Sequence, residues 1–566
     1  MKYIKFTSLV GMVSILLFSC GKKSNMGRMI PKEATMVVDI NAKSLLSKVS
    51  WEDIKKTYWY NEVMTDTSIP AKSKSFLEDP SKTGINLESD VVCFLLKRDA
   101  NDRFVVEGNI KDGKLFTDHL KSQHPEGSVT KEGDLNIFKT PEAVVGWNAD
   151  KFAMVTTADH HQFNGMKEDS TKSVPLPGND DLVKVCKDLF ALSNDNSLYE
   201  NEKFAKLTGE DGDIHFWINA NELYKGAMKG AQGGMAGMVK LDKFLVDNFA
   251  AITVNFEDGK ISVVHNQYYG KDLSDILKKG EGTINTEMLK RLPSQNVAGV
   301  LAFHITPANL VEVIRLTGMD GFINLFMSQQ GLSLEDAAKA TKGDIVFSVS
   351  NITLHDTTST NGTKDSFNYP KPNATFLFAV AIGDKDAFNK LIGMTDKLGK
   401  EEAMKSIIKK SDDKYFVVAN SQDAVNKFLS GPGASPDYTS KLNDHPMGSF
   451  IDMQMIMKAL QPEITKDSMD KVYYDRNITM WNNVYFGGGE YKDGGIVTHA
   501  EINMVDKSTN SLKQLNHYID DYAKIFIERD KKRKAEWKSD SLTTKDTVVL
   551  KKFRHEKMQP HNKTKK

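Results

Sequence analysis

Residues 30–46 and 292–310 carry one pattern twice. IPKEATMVVDINAKSLL and LPSQNVAGVLAFHITPANL each place a proline second, then an apolar run that suits a strand, then a polar break into a helix-like run. The likeness continues downstream of both copies. Gly84–Glu88 (GINLE) leads into the apolar run Asp90–Leu96, and Gly331–Glu335 (GLSLE) leads through a longer connector into Gly343–Val349, which sets Cys93 opposite Phe347. Phe104–Ile110 with Asp112, Phe116 and Leu120 has the spacing of Phe376–Ile382 with Asp384, Phe388 and Ile392. Phe152–Thr156 with Asp159 resembles Phe416–Asn420 with Asp423, and Ile214–Ile218 with Asn219 resembles Ser449–Ile451 with Asp452. FEDGKI at 256–261 recurs as YKDGGI at 491–496. A unit of this length written twice predicts a tandem α+β fold: two related halves, each a mainly antiparallel sheet with helices on one face, followed by a C-terminal helix and a basic tail.

Local chemistry fits that reading. Ile252, Val254 and Phe256 alternate with polar neighbours, so Asp258-Gly259 reads as the tip of a tight antiparallel hairpin. Asn41, Asp112 and Asp384 each stand where a strand gives way to a helix, and a side-chain oxygen there can accept from free amides of the first turn. These residues need no catalytic explanation.

Charge and composition bound the function classes. Basic and acidic residues both number 75, so no field of one sign draws the chain to nucleic acid. With 40% hydrophobic and 27% charged residues, the body has the make-up of a folded globular protein. The expected divisions are a signal peptide at 1–19, a linker at 20–29, repeats at 30–270 and 290–505, and a helix with a disordered basic tail at 506–566.

The first twenty residues read as an export signal. Lys2 and Lys5 supply positive charge, Ser8–Phe18 is an apolar stretch too short to span a bilayer, and Leu17-Phe18-Ser19-Cys20 resembles a bacterial lipobox. That resemblance implies cleavage between Ser19 and Cys20 and lipid on the Cys20 thiol, hence a membrane partner through that lipid. A plain secretory signal with an incidental cysteine is the other reading. Lys22 and Lys23 after the cysteine favour an anchor in the outer membrane that faces the periplasm.

No catalytic signature is present: no zincin helix, phosphate loop, nucleophile elbow or dinucleotide fingerprint. Asp159, His160 and His161 are the densest set of potential ligands, yet neighbouring histidines on a helix point apart, so no metal and no cofactor is expected. His215, His265, His304 and His499 fall in strand-like runs and read as packed side chains. Cys93 and Cys186 lie in apolar runs, where a core position is simpler than a disulfide. The copies differ at three places: the glycine- and methionine-rich Lys225–Val239, the polar Asn351–Asn373, which reads as a long hairpin loop, and the basic tail from Lys531.

With the lipobox, the Ile30-Pro31 start, the strand before Asn41 and Gly84–Glu88, the chain resembles the uncharacterised Bacteroidetes envelope lipoproteins filed as domain of unknown function 4836. The resemblance covers nearly all the chain to about Met504 and brings no catalytic residues. It implies O-glycosylation where Asp precedes Ser or Thr and a small or aliphatic residue comes next, as at Ser170, Thr357, Ser468, Ser541 and Thr547. The expectation is a lipid-anchored envelope protein that binds or scaffolds, its partner an envelope protein or an apolar ligand, with its oligomeric state open. The alternatives are a hydrolase with a site assembled from scattered residues, or a carrier of an apolar ligand.

Overall fold

The computed structural model describes residues 29–543, apart from 68, 70–73, 75–76, 99–101, 159–178, 225–239, 241, 294, 330, 361–365, 399–406 and 467, with the backbone alone at 179, 242, 355–360, 366–371, 394–398, 468–469 and 534–543. Its strands are β1 (Ala34–Ile40), β2 (Val91–Leu96), β3 (Asp102–Asn109), β4 (Ser128–Glu132), β5 (Leu135–Lys139), β6 (Ala143–Trp147), β7 (Lys151–Ala158), β8 (Ile214–Asn219), β9 (Phe249–Glu257) and β10 (Lys260–Tyr268). They continue as β11 (Val297–His304), β12 (Thr341–Thr360), β13 (Ser366–Ile382), β14 (Ile408–Ser411), β15 (Tyr415–Ala419), β16 (Met447–Asp452), β17 (Trp481–Lys492) and β18 (Gly495–Met504). The helices that cover or flank this sheet include α1 (Ala42–Lys48), α2 (Gly113–Gln123), α3 (Asn179–Phe190), α4 (Glu202–Gly209), α5 (Pro307–Leu316), α6 (Asp320–Ser328), α7 (Lys385–Leu398), α8 (Gln422–Ser430), α9 (Met453–Ile464) and α10 (Ser511–Thr543).

All the strands join one sheet, and every pairing is antiparallel. Its order is β4-β5-β6-β7-β3-β2-β1-β8-β9-β10, then β18-β17-β16-β11-β12-β13-β15-β14. The pairing pattern repeats: β1 lies between β2 and β8 as β11 lies between β12 and β16. The two runs meet at β10 and β18, whose register holds from Lys260 opposite Asn503 to Tyr268 opposite Gly495. Both ends of the sheet are short strands with charged residues, Lys131 and Glu132 on β4 and Lys409 and Lys410 on β14, which discourages edge-to-edge growth.

The expected caps form. Asn41 accepts from the Ser44 amide at 3.1 Å, Asp112 from the Leu115 amide at 2.9 Å and Asp384 from the Ala387 amide at 2.9 Å. The Asp-Gly tips close two-residue hairpins, and Asp493 and Gly494 take φ of 53° and 86°, the left-handed values such a turn requires. Cys93 and Cys186 are free thiols, Cys186 buried in the core and Cys93 half-buried.

Over β1, β2 and β3 helices cover both faces of the sheet, not one. Leu182 and Leu189 of α3 and Phe204 and Leu207 of α4 pack over Val37, Val92 and Val105. On the opposite face Leu45 of α1 and Leu512 of α10 lie over Ile40, and Phe116 of α2 packs on Val91 and Val106. The reason is the continuous apolar runs of β1 to β3, which leave no polar face for water.

Two further expectations are corrected. Residues 351–373 hold no simple loop: β12 and β13 stay paired from Thr353 opposite Asn373 to Thr360 opposite Ser366, because β-branched Thr and Ile suit an extended ribbon despite their polarity. The basic run Lys531–Lys534 continues α10 to Thr543, since Lys, Arg and Glu are good helix formers; 544–566 lie outside the described residues.

Candidate functional site

Three cross-strand rows on one face of β13, β12, β11 and β16 form a partly exposed apolar surface of the sheet. They read Phe376-Val349-Gly299-Ile451, Phe378-Phe347-Leu301-Ser449 and Val380-Ile345-Phe303-Met447. None of the twelve positions is ionisable. Leu301 is 43% exposed although β11 is paired on both sides, and Ile451 and Met447 are 39% and 37% exposed. Helix α9, with Met453, Met455 and Met457 half-buried, runs alongside β12, β11 and β17. The position that matches Leu301 in the first run of strands is Val38, half-buried against the cluster of Ile40, Leu45 and Leu512. Exposed Leu310 on α5 and Phe322, Leu325 and Phe326 on α6 add apolar surface to the helices that come after β11.

The other chemically unusual place is a buried row in the first run. Glu107, Val92, Asp39, His215 and Thr253 are successive cross-strand neighbours and share the face packed under α3 and α4. The matching row in β11–β18 is Ala379, Val346, Ala302, Gly448 and Gly487. Both Glu107 carboxylate oxygens, Asp39 Oδ1 and Thr253 Oγ1 lack hydrogen-bond partners among the described residues, and His215 Nδ1 stands 4.0 Å from Asp39 Oδ2. Burial, reinforced by Asp90, raises the Asp39 carboxyl to about 8. Burial raises Glu107 to about 8 as well, against the pull of Lys151 and with the push of Asp39. The His215 imidazole is held below its ordinary value by burial, opposed by the Glu210 carbonyl and Asp213. At neutral pH the row is therefore uncharged, which is how such groups persist in an apolar core. It lies buried beneath α3 and α4 and lines no cleft among the described residues.

Three other charged groups have local partners. Asp213 takes the Lys48 ammonium and accepts from the Phe256 amide at 2.6 Å. His304 Nδ1 pairs with Asp344 at 2.7 Å, while its Nε2 faces Gly282, where an added Cβ would lie 2.5 Å away. His445 pairs with Glu490. No Ser, Thr or Cys bonds to the His304 or His445 ring among the described residues, so neither pair activates a nucleophile. A surface cleft beside α2 holds Glu78, Asp79, Lys82 and His119, but Asp79 is spent on the Ser81 amide at 3.2 Å and on Lys82 at 3.4 Å.

The sequence-derived candidates scatter. Ser19, Cys20, Ser170, Thr547, the Asp159–His161 cluster and the Lys225–Val239 segment lie outside the described residues. Thr357 falls on β12, Ser468 heads the helix Ser468–Met480 and Ser541 is near the end of α10. Cys93 and Cys186 are deterred from ionising by burial, both raised to about 12. Among the described residues no three His, Cys, Asp or Glu side chains are grouped to hold a metal, and no helix is long and apolar enough to cross a membrane. Asp39 and Glu107 were readable as lone carboxylates inside apolar runs, and the Glu107 to Ala379 mismatch between the copies marks one of them.

Comparison with known proteins adds a family. The family described as "Domain of unknown function (DUF4836)" matches residues 27–422. No curated protein matches the chain. Among solved structures, "Structure of crystal form III of TP0453" is 10% identical with a TM-score of 0.25, covering 44% of this chain and 81% of that one. "Structure of crystal form I of TP0453" is 9% identical with a TM-score of 0.24, covering 44% and 79%.

Proposed function

The chain belongs to the DUF4836 family, a domain of unknown function, and from that premise we propose that it is a lipid-anchored binding protein of a bacterial envelope, not an enzyme, and that its occupant is an apolar chain such as a lipid acyl group. The carrying observation is Leu301, 43% exposed on a strand paired on both sides, within twelve positions that hold no ionisable side chain. A peptide of mixed polarity would leave charges unpaired on such a face; a hydrocarbon chain would not. Methionines of α9 give the margin an adaptable apolar surface. The hydrolase reading needs convergent titratable groups in a cleft, and the strongly shifted carboxyls Asp39 and Glu107 are sealed in the core.

In this account the two strand runs are copies of one α+β unit, at 30–270 and 290–505, fused through β10 and β18. The equivalent placement of β1 and β11 between their neighbours supports that view. Cys20 carries the lipid after cleavage behind Ser19, the body faces the periplasm from the outer membrane, and Ser170, Thr357, Ser468, Ser541 and Thr547 are sites of O-glycosylation. Intact mass of the native protein tests both modifications: the mass of the bare chain from Cys20 would defeat them.

Titration with a fluorescent apolar probe such as N-phenyl-naphthylamine tests the binding face. Leu301→Glu lowers probe affinity by at least about tenfold, the effect of losing roughly 1.4 kcal/mol, and Leu115→Glu, on an exposed position of α2, leaves it unchanged. Equal binding by all three proteins would defeat the assignment.

A further inference from the structure

The Glu107–Asp39–His215 row has no part in binding at the open face. Four of its polar side-chain atoms, on Glu107, Asp39 and Thr253, are buried without hydrogen-bond partners among the described residues, and such groups destabilise a core, far more when charged than when neutral. At the matching positions of β11–β18 the chain has Ala379, Ala302, Gly448 and Gly487. The fold of the strands thus tolerates small residues there, so the polar side chains of the first run are no requirement of the architecture.

The surroundings decide what the row can do. Asp90 and His215 act on Asp39, Lys151 and Asp39 act on Glu107, and Asp213 acts on His215. The Tyr199 hydroxyl and the Cys93 thiol lie within the field of the two carboxyls. Arg103, on the same face of β3, is committed to Asp181 of α3. From α4, Lys203 turns to the Tyr268 ring and Lys206 to Asp493. Among the described residues the cation that acts on Glu107 is Lys151, at its far side on β7. No cation among these groups sits between Asp39 and Glu107 to accept them both as anions.

We propose that this row is a proton-operated latch on the first run of strands: with Asp39 and Glu107 protonated the row is neutral and the cover of α3 and α4 stays packed, whereas loss of the two protons to solvent sets like charges in the apolar core and loosens that cover. The second run, with Ala and Gly in the same row, has no such latch and serves as an internal control.

Amide hydrogen exchange of the full chain at about pH 6 and about pH 9, corrected for the intrinsic effect of pH, reads the latch directly. Amides of β1, β3 and β8 exchange at least about a hundredfold faster at the higher pH, as expected for a single carboxyl titrating near 8. Amides of β12 and β13 at 345–349 and 377–381 stay level. Asp39→Asn with Glu107→Gln abolishes the difference between the two runs. Should that double variant fail to fold, infrared spectra of the unaltered protein give a second reading: a protonated-carboxyl band present near pH 6 and lost by pH 9. Equal pH response in both runs, or no such band near pH 6, overturns the proposal.

Discussion

Val264 on β10 lies directly opposite His499 on β18. The offset that carries the hairpin residue Asp258 onto Asp493 also carries Val264 onto His499, so in a duplicated chain these are one position of the repeat facing itself. A local twofold axis between two copies would pass through this pair, as the isologous contact of a dimer does. At this join backbone hydrogen bonds tie the two runs of strands together inside a single polypeptide.

The join has a mechanical consequence. Val264→Pro removes a ladder donor from a strand flanked by β9 and β18, a loss of about 3 kcal/mol or more. Chemical denaturation of the variant, followed by tryptophan fluorescence, is expected to separate into two transitions where the parent chain gives one. A single transition at an unchanged midpoint would mean that β10 and β18 do not couple the two runs.

The buried row sets the sign of a pH effect. Asp39 and Glu107, raised to about 8 in the folded state, hold protons that the unfolded chain has released. Their contribution to stability is complete below the ordinary carboxylate range and is lost as pH rises through about 8. His215 is shifted down, so its contribution has the opposite sense and is lost as pH falls below its ordinary value. With two carboxyls against one imidazole, the row's net contribution falls between about pH 5 and pH 8. Thermal melts of Glu107→Gln against the parent chain should show the variant gaining relative stability as pH rises over that range; a constant difference would contradict the assignment. Ala379→Glu puts a carboxyl at the matching buried position without polar neighbours in its row and should cost about 3 kcal/mol or more.

Gly84 and Gly133 separate backbone strain from crowding. Both have left-handed φ, 76° and 63°. A Cβ on Gly84 would lie 2.3 Å from the Phe116 amide nitrogen, whereas one on Gly133 would meet nothing within 4 Å. Gly133→Ala should cost about 1 kcal/mol, and Gly84→Ala markedly more because the start of α2 must move. Urea midpoints of the two variants check the order.

Local features were legible in the sequence because their causes are local. Asn41, Asp112 and Asp384 cap helices by reaching two or three residues along the chain, and the Asp-Gly tips dictate their own φ. The mainly antiparallel α+β character also emerged from residue patterns. What was not legible depends on long-range register. Nothing near Val264 announces that it pairs with a strand more than two hundred residues away. Likewise Leu301 reads like any core leucine, and only the assembled sheet shows it exposed where its counterpart Val38 packs against the cluster of Ile40, Leu45 and Leu512. Asp39 and Glu107 were visible as lone carboxylates in apolar runs, but their shared row emerges only when β1, β2 and β3 align.

The central claim is that the face around Leu301 takes an apolar chain. Photo-crosslinking of the full chain with a diazirine-bearing fatty acid, with the labelled peptides then mapped, tests it most directly. Labels are expected on β11, β12, β13 and β16, around Leu301, Phe347 and Phe378, and on α9, with loss of labelling in Leu301→Glu. Labels confined to other segments, or labelling unchanged in Leu301→Glu, would contradict the account.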